Sequence, residues 1–557
     1  MSRFRARLDA TNPRRHHGAL WVFVPMDQLT TAFGPLASDA PRNVILLEAG
    51  EFLRRRPYHR QKIALLLANQ RHFALELAAA GHHVVYRQGE GTIVELLGAV
   101  LVEAGAAAVM MEPAERELRA ELAPLCRDGR LDVVPHGGWL TTRRDFEEGT
   151  GGPPWRMDAF YRHVRRRTGI LMEDGKPVGG RFSLDGENRE PWRGNPPAPT
   201  PPVMGPDEIR EEVGAEVARV YTAHPGAVDL ANLPATRADA VAMLHWAMAE
   251  CMESFGTYED AMSTASSGLF HTRLSPLINI HRLTPREVLD AALATEMPLN
   301  SREGFVRQLI GWREYVKHVH DATDGFRRLP GGTSLVAGQP GDGGFAQWAG
   351  EPWQSPPPPS GIDGGAMPDH LATGNRPLPP AWWGRRSGLA CLDHVVDGVW
   401  REGWSHHITR LMVLANIAAL LDVSPRALTD WFWVAYTDAW DWVVEPNVLG
   451  MGTFAVGEVM TTKPYVAGAA YIHRMGNFCG DCAFDPNGNC PLRRLYWAYL
   501  ARHESALRAN PRVGTVVRSL GRRTPADRAR DAALFDTVSS QLTAGRRLTP
   551  ESLADEL

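Results

Sequence analysis

Four cysteines late in a chain that holds only six carry the strongest chemical signal. Cys479-Gly-Asp-Cys482 is followed by Cys490 against Pro491, and Cys391, in SGLACLDH, is the candidate fourth ligand. Four thiolates in this arrangement suit an iron–sulfur cluster, for which a Cys-Pro ending is common. Zinc uses the same C-x2-C knuckle and stands as the competing ion. Without any metal these would be scattered core cysteines, as Cys126 and Cys251 read in their apolar helical surroundings.

Other residues of the second half could bind or transfer. GLFHTRLSPLINI offers His271, Thr272, Arg273 and Ser275 as donors that could wrap a diphosphate, although capping loops share that composition. GWSHHITRLM sets His407 and Arg410 one helical turn apart, with His406 alongside, and predicts a buried polar site opening an apolar helix. WFWVAYTDAWDWV reads as one helix with Trp433, Tyr436 and Trp440 on a shared face and Asp438 among aromatics. A buried carboxylate there needs a partner, and Arg410 is the candidate. Aromatic density of this kind is packing first and electron transfer second. FVRQLIGWREYVKHVH is a basic amphipathic helix with Arg307, Arg313 and Lys317 near Trp312 and Tyr315; it reads as a nucleic-acid groove or as a solvated face.

These residues need elements to hold them. A chain of 557 residues with 44% hydrophobic content is ample for two or more cored domains. Strands ALWVFVPMDQL, NVILLEAGEF, HHVVYRQ, AAVMMEP and LDVVPHGGWL alternate with helices in residues 1–150, which predicts a doubly wound parallel sheet. Ligands of such sheets lie beyond the carboxyl ends of the strands, where Asp27 and Glu48 fall. No G-x-G-x-x-G follows the first strand, so a dinucleotide site is weakly supported. Residues 151–235 read as a basic helix and a proline-rich connection, and 236–557 as helical throughout. Runs such as GQPGDGG and SPPPPSG within 331–380 predict a flexible surface insertion. Few, clustered cysteines fit a reducing, cytoplasmic setting. No segment reads as a signal peptide or membrane span, and a net charge of -4 leaves any DNA binding to a local groove.

Taken together, ALWVFVPMDQL, HRQKIALLLANQRHF, PWRMDAFYRHVRRRTGILMEDGKPVGGRF, LFHTRLSP, PLNSREGFVRQLIGWREYV, SHHITRLMVLAN, EPNVLGMGTFA, TKPYVAGAAYIHRMGNFC and CPLRRLYWAYL resemble the iron–sulfur bacterial branch of the photolyase/cryptochrome family, which includes prokaryotic (6-4) photolyases. The resemblance spans nearly the whole chain except the proline-rich insertion.

That resemblance implies an α/β N-terminal antenna domain and a large all-α C-terminal domain that binds FAD and carries a [4Fe-4S] cluster on Cys391, Cys479, Cys482 and Cys490. The flavin phosphates would be held by His271, Thr272, Arg273, Leu274 and Ser275, with Tyr258 nearby. Arg410 and Asp438 would face the flavin, and Val444 would stand at N5, where many relatives carry a polar residue. Trp383 and Trp431 are implied as electron carriers and His407, with His406 beside it, as the proton donor of (6-4) repair. Arg307, Trp312, Arg313 and Tyr465 would meet UV-damaged DNA. Asp27, Gln28 and Glu48 would bind a 6,7-dimethyl-8-ribityllumazine antenna, although PMDQL replaces the GDQL expected there. The expected protein is a monomeric light-driven DNA lyase. A cryptochrome-type photoreceptor is the alternative within the family, and a primase-like nucleic-acid module is the alternative outside it.

Overall fold

Five short apolar runs pair in parallel as β1 (Trp21–Phe23), β2 (Asn43–Ala49), β3 (His83–Gly89), β4 (Ala108–Met111) and β5 (Leu131–Val134), in the order β3-β2-β1-β4-β5. The computed structural model describes residues 2–330, 340–350, 353 and 376–556. β1 is shorter than its apolar run suggests. It ends at Phe23, so Asp27 and Gln28 lie in the turn beyond it. A helix that the sequence reading passed over, Arg116–Arg127, links β4 to β5 and buries Leu118, Leu122 and Leu125 on one face.

The helix Arg60–Ala79 is buried along nearly its whole length, between the sheet and the helix Glu208–Val220. Each fully buried leucine of this kind stabilises the fold by roughly 1.5–3 kcal/mol. Arg71 crosses the seam, bonded to Glu48 at 2.7 Å and to Glu216 at 2.7 Å. The segment read as a basic helix and a proline-rich connection therefore adds a second packed helix, Glu208–Val220, against the first domain. At its other end the Arg60–Ala79 helix grips the helical half. The His59 N–H donates to Val434 O (2.8 Å), and Lys62 Nζ donates to Ala439 O (2.6 Å).

The second half is helical, as expected, with one correction. The helix Pro425–Ala435 stops before Tyr436, which is extended, and a new helix, Asp441–Val444, starts after Trp440. Trp433, Tyr436 and Trp440 thus share no helical face. Thr437 and Asp438 are residues whose side chains favour turns over helix interiors, and here they form the link. Most of the 331–380 insertion lies outside the described residues. Its described part forms a short helix, Phe345–Ala349, against Trp383. Among the described residues, no helix is long and apolar enough to cross a membrane.

Candidate active site

The turn at Asp438 is the hub of the site. Arg410 reaches it from the neighbouring helix with Nη1–Oδ1 at 3.0 Å and Nη2–Oδ2 at 2.9 Å, the two-point geometry that makes such pairs strong. Ser275 of the HTRLSP segment donates to the same carboxylate at 2.7 Å, and Asn279 donates to the Asp438 carbonyl at 2.9 Å. Arg410 also lies 4.0 Å over the Tyr436 ring, and its Nε donates to Ser405 O at 2.8 Å. The partner expected for a carboxylate among aromatics is present.

Arg273 adopts a left-handed backbone (φ 54°), which is uncommon for a non-glycine residue. Its guanidinium lies 2.9 Å from Glu402 and 4.4 Å over the Trp404 ring, beside a cavity of about 340 Å³. Thr272 is half-buried and Leu274 buried. Tyr258 stacks on Phe270 at 5.3 Å and donates to Asn195 O. Val444 is buried and apolar, while Glu445 turns away to Arg327, Arg426 and His320.

Three imidazoles converge next to this hub. His271 and His406 are buried and stack at 4.4 Å and 10°, and His407 meets His271 edge-on at 5.2 Å. Burial is the main force that keeps all three neutral: His271 falls to about 3, His406 well below its ordinary value, and His407 to about 4, helped by Arg307 and Arg410. Among the described residues, this is the one group of three potential metal ligands whose atoms all lie within 4.8 Å. Parallel stacking of His271 on His406 leaves no point in both ring planes for a single ion. His271 Nε2 and His406 Nδ1 are buried with no hydrogen-bond partner.

His407 alone of the trio lines an open groove of about 980 Å³, with Trp312 and Tyr465 on its walls. The basic residues expected there need correction. Arg313 is buried between Trp139 (4.3 Å) and Trp442 (5.3 Å) and paired with Glu314, so it cannot reach a groove ligand. Arg307 lines the groove, but Glu303, Glu259 and Asp185 surround its guanidinium at 3.3–3.5 Å. The exposed cations of the groove come from elsewhere: Arg181 and Arg189, paired at the surface with Glu187 and Asp185, and Arg474 and Arg512. They are scattered in the sequence, and no single helix pattern reveals them.

Among the described residues, no ring pair joins Trp383 to Trp431 directly. Trp400 lies between them, 4.9 Å from Trp383 and 5.9 Å from Trp431, and the Trp431 ring lies 6.0 Å from Tyr436, under Arg410. Trp400 and Trp431 both donate their indole N–H to Trp382 O, at 2.8 and 3.0 Å, which fixes the two rings together. Trp400 is the link that spacing alone did not reveal.

Cys391 starts the helix Ala390–Glu402, which packs on the turn Phe478–Asp481 that carries Cys479. Burial pushes the Cys391 thiol well up, and then Cys490, Cys482 and Cys479 push it further, so the four sulfurs share one neighbourhood. No three of them come within 4.8 Å of one another. A single zinc ion, with Zn–S near 2.3 Å, sets its sulfurs about 3.8 Å apart.

At the carboxyl ends of the strands, Asp27 and Glu115 line a small cavity of about 20 Å³. Burial lifts the Asp27 carboxyl to about 7, raises Glu115 and lowers Lys62. Glu48 is instead consumed by Arg71, Tyr86 and Gln88, and Gln28 donates to Met111 O and Glu112 O. Of the expected antenna contacts, only Asp27 faces the cavity. The cavity as it stands admits about one water, which is too little for a lumazine ring.

The chain is similar to proteins of one family. Residues 22–233 match the family described as "Deoxyribodipyrimidine photo-lyase-related protein". A curated "(6-4) photolyase" of Agrobacterium fabrum is 32% identical over 482 residues, covering 82% of this chain and 86% of the relative. Two solved structures share the fold with a TM-score of 0.53 each. A bacterial class III photolyase from Agrobacterium tumefaciens is 14% identical, covering 95% of this chain and 99% of the other. A cryptochrome from Synechocystis sp. is 13% identical, covering 97% and 99%. Match and geometry together place the chain in the photolyase/cryptochrome superfamily.

Proposed function

We propose that the protein is a light-driven DNA-repair flavoprotein that reverses (6-4) pyrimidine photoproducts. The observation that carries the reading is the position of His407. It lines the large groove and lies one turn from Arg410, whose partner Asp438 is bonded to the HTRLSP segment. A lesion pocket and a flavin site would meet at that imidazole. The residues fit FAD in character: Arg273 and Thr272 suit a diphosphate, Arg410 and Asp438 a polar ring edge, and the unpartnered His271 and His406 nitrogens mark buried polarity that a ligand would satisfy. Bound FAD would supply light absorption and one-electron chemistry.

The chain's own residues do the rest. A damaged nucleotide leaves the duplex for the groove, at an unpairing cost of a few kcal/mol that the lesion lowers. Arg181, Arg189, Arg474 and Arg512 meet phosphates, so affinity falls with salt. His407 gives a proton to the lesion as it reacts. Its low pKa means that it is neutral in the free protein at pH 7, and the incoming phosphate charge raises it toward the protonated form. The superfamily assignment replaces the primase-like reading. A photoreceptor role keeps one specific support, the apolar Val444 at the position expected to face flavin N5.

The four cysteines are proposed to hold a [4Fe-4S] cluster, whose several irons keep thiolates farther apart than one zinc ion does. Cys482→Ala is expected to cost the fold as well as activity, because cluster binding is coupled to folding. The check is soluble yield with iron and sulfide content. A soluble, cluster-free, flavin-loaded variant would contradict it. An antenna at Asp27 and Glu115 would require their small cavity to open.

Trp431→Phe is expected to block photoreduction of the oxidised flavin by an external donor, because phenylalanine is far harder to oxidise than tryptophan. Repair with chemically reduced flavin should survive, which absorbance and product assays separate. The reading as a whole is tested by illuminating the purified protein with a (6-4)-containing oligonucleotide and separating the products by chromatography.

A further inference from the structure

The described part of the 331–380 insertion does more than cover the surface. Its short helix Phe345–Ala349 lays Trp348 on Trp383, with centroids 5.7 Å apart and planes 23° apart. Trp383 is 3% exposed, whereas Trp348 is 41% exposed. Phe345 packs edge-on against Trp383 at 5.2 Å, and Trp383 Nε1 donates to Gly343 O at 3.0 Å, so the stretch is bonded to the ring it covers. At 41% exposure Trp348 buries part of its ring on Trp383 and presents the remainder to solvent. Trp348, Trp383, Trp400 and Trp431 form an unbroken line of rings at 5.7, 4.9 and 5.9 Å. The groove of about 760 Å³ at the outer end is lined by Trp348, Trp383 and Trp400 together with Trp353 and Arg60, and Trp348 is the most exposed ring of the line.

We propose that Trp348 is the surface terminus of the tryptophan relay, where an external thiol delivers its electron. The inference rests on the flavin-binding reading above. One electron leaves Trp431 toward the flavin site, and the hole moves outward through Trp400 and Trp383 to Trp348. There a thiol gives one electron to the oxidised indole and its proton to water, becoming a thiyl radical; two thiyl radicals then pair as a disulfide. Ring contact makes each step short, and Trp348, as the most exposed ring of the line, is the one that a donor in solution meets first.

The test uses the full-length, flavin-loaded protein with dithiothreitol as donor. Trp348→Phe keeps a ring on Trp383 and is expected to slow photoreduction at least tenfold, with flavin content and circular dichroism unchanged. Trp353→Phe alters the same groove, where Trp353 meets Phe345 and His224 edge-on, and is expected to keep the parental rate. Illumination in air without thiol, followed by peptide mass spectrometry, is expected to find oxidised tryptophan at Trp348 and not at Trp383 or Trp400. Parental photoreduction in Trp348→Phe overturns the proposal, as does oxidation confined to Trp400. Equal slowing in both variants overturns it in favour of packing by the insertion. If the parent shows no photoreduction at all, or Trp431→Phe leaves it unchanged, the relay reading itself falls and this proposal with it.

Discussion

His407→Asn is expected to lose (6-4) repair by at least ~10²-fold while keeping flavin and DNA binding, because asparagine preserves polarity but cannot act as an acid. Single-turnover product yield under light, with lesion affinity measured in the dark, separates the two effects. The parent should show a matching pH dependence. His407 is held at about 4, first by burial and then by Arg307 and Arg410, and its competent form is protonated. The fraction protonated in the free protein therefore falls about tenfold per pH unit above that value. At low DNA concentration, repair should fall from pH 6 to 8, and His407→Asn should flatten the profile. His406→Asn should do less to repair, since His406 stacks on His271 and does not line the groove. Equal repair by His407→Asn and the parent would place the proton donor elsewhere.

Asp438→Ala should destabilise the flavin-loaded protein by about 3–5 kcal/mol, the usual result of removing one partner from a buried pair. Asp438 is 3% exposed and satisfies both Arg410 nitrogens and the Ser275 hydroxyl. Its loss would leave the Arg410 guanidinium, which lies over Tyr436, with only Ser405 O. Asp438→Asn keeps the volume and one acceptor and should cost less. The urea midpoint at constant slope measures both. A midpoint for Asp438→Ala within ~0.5 kcal/mol of the parent would show that the pair does not hold the site together.

The Arg410–Asp438 pair was legible in the sequence because elementary electrostatics demands a partner for a carboxylate embedded in aromatics. The alternation of strands and helices likewise announced the parallel sheet. Leu118, Leu122 and Leu125 recur at helical spacing, so the helix between β4 and β5 was also available to be read. Other features were not. Arg307 and Arg313 lie on a helix whose charge pattern is the same whether its cations meet DNA, carboxylates or indoles; only tertiary packing assigns Arg313 to Trp139 and Trp442. Glu48 ends a strand as a ligand-binding residue would, but Arg71 from the next helix claims it. Trp400 joins Trp383 to Trp431 through the Trp382 carbonyl, a contact among three segments that no periodicity encodes. The break at Tyr436 carries no proline or glycine to mark it.

The most direct measurement of the central claim is single-turnover repair by the parent protein, with its flavin chemically reduced and a (6-4)-containing duplex bound. Dark and blue-light samples are compared by chromatography. The account predicts undamaged oligonucleotide in the light, none in the dark, and loss of the light product in His407→Asn. Bound lesion left unchanged after full illumination of the reduced protein would contradict it and favour the photoreceptor reading, with Val444 the first residue to replace.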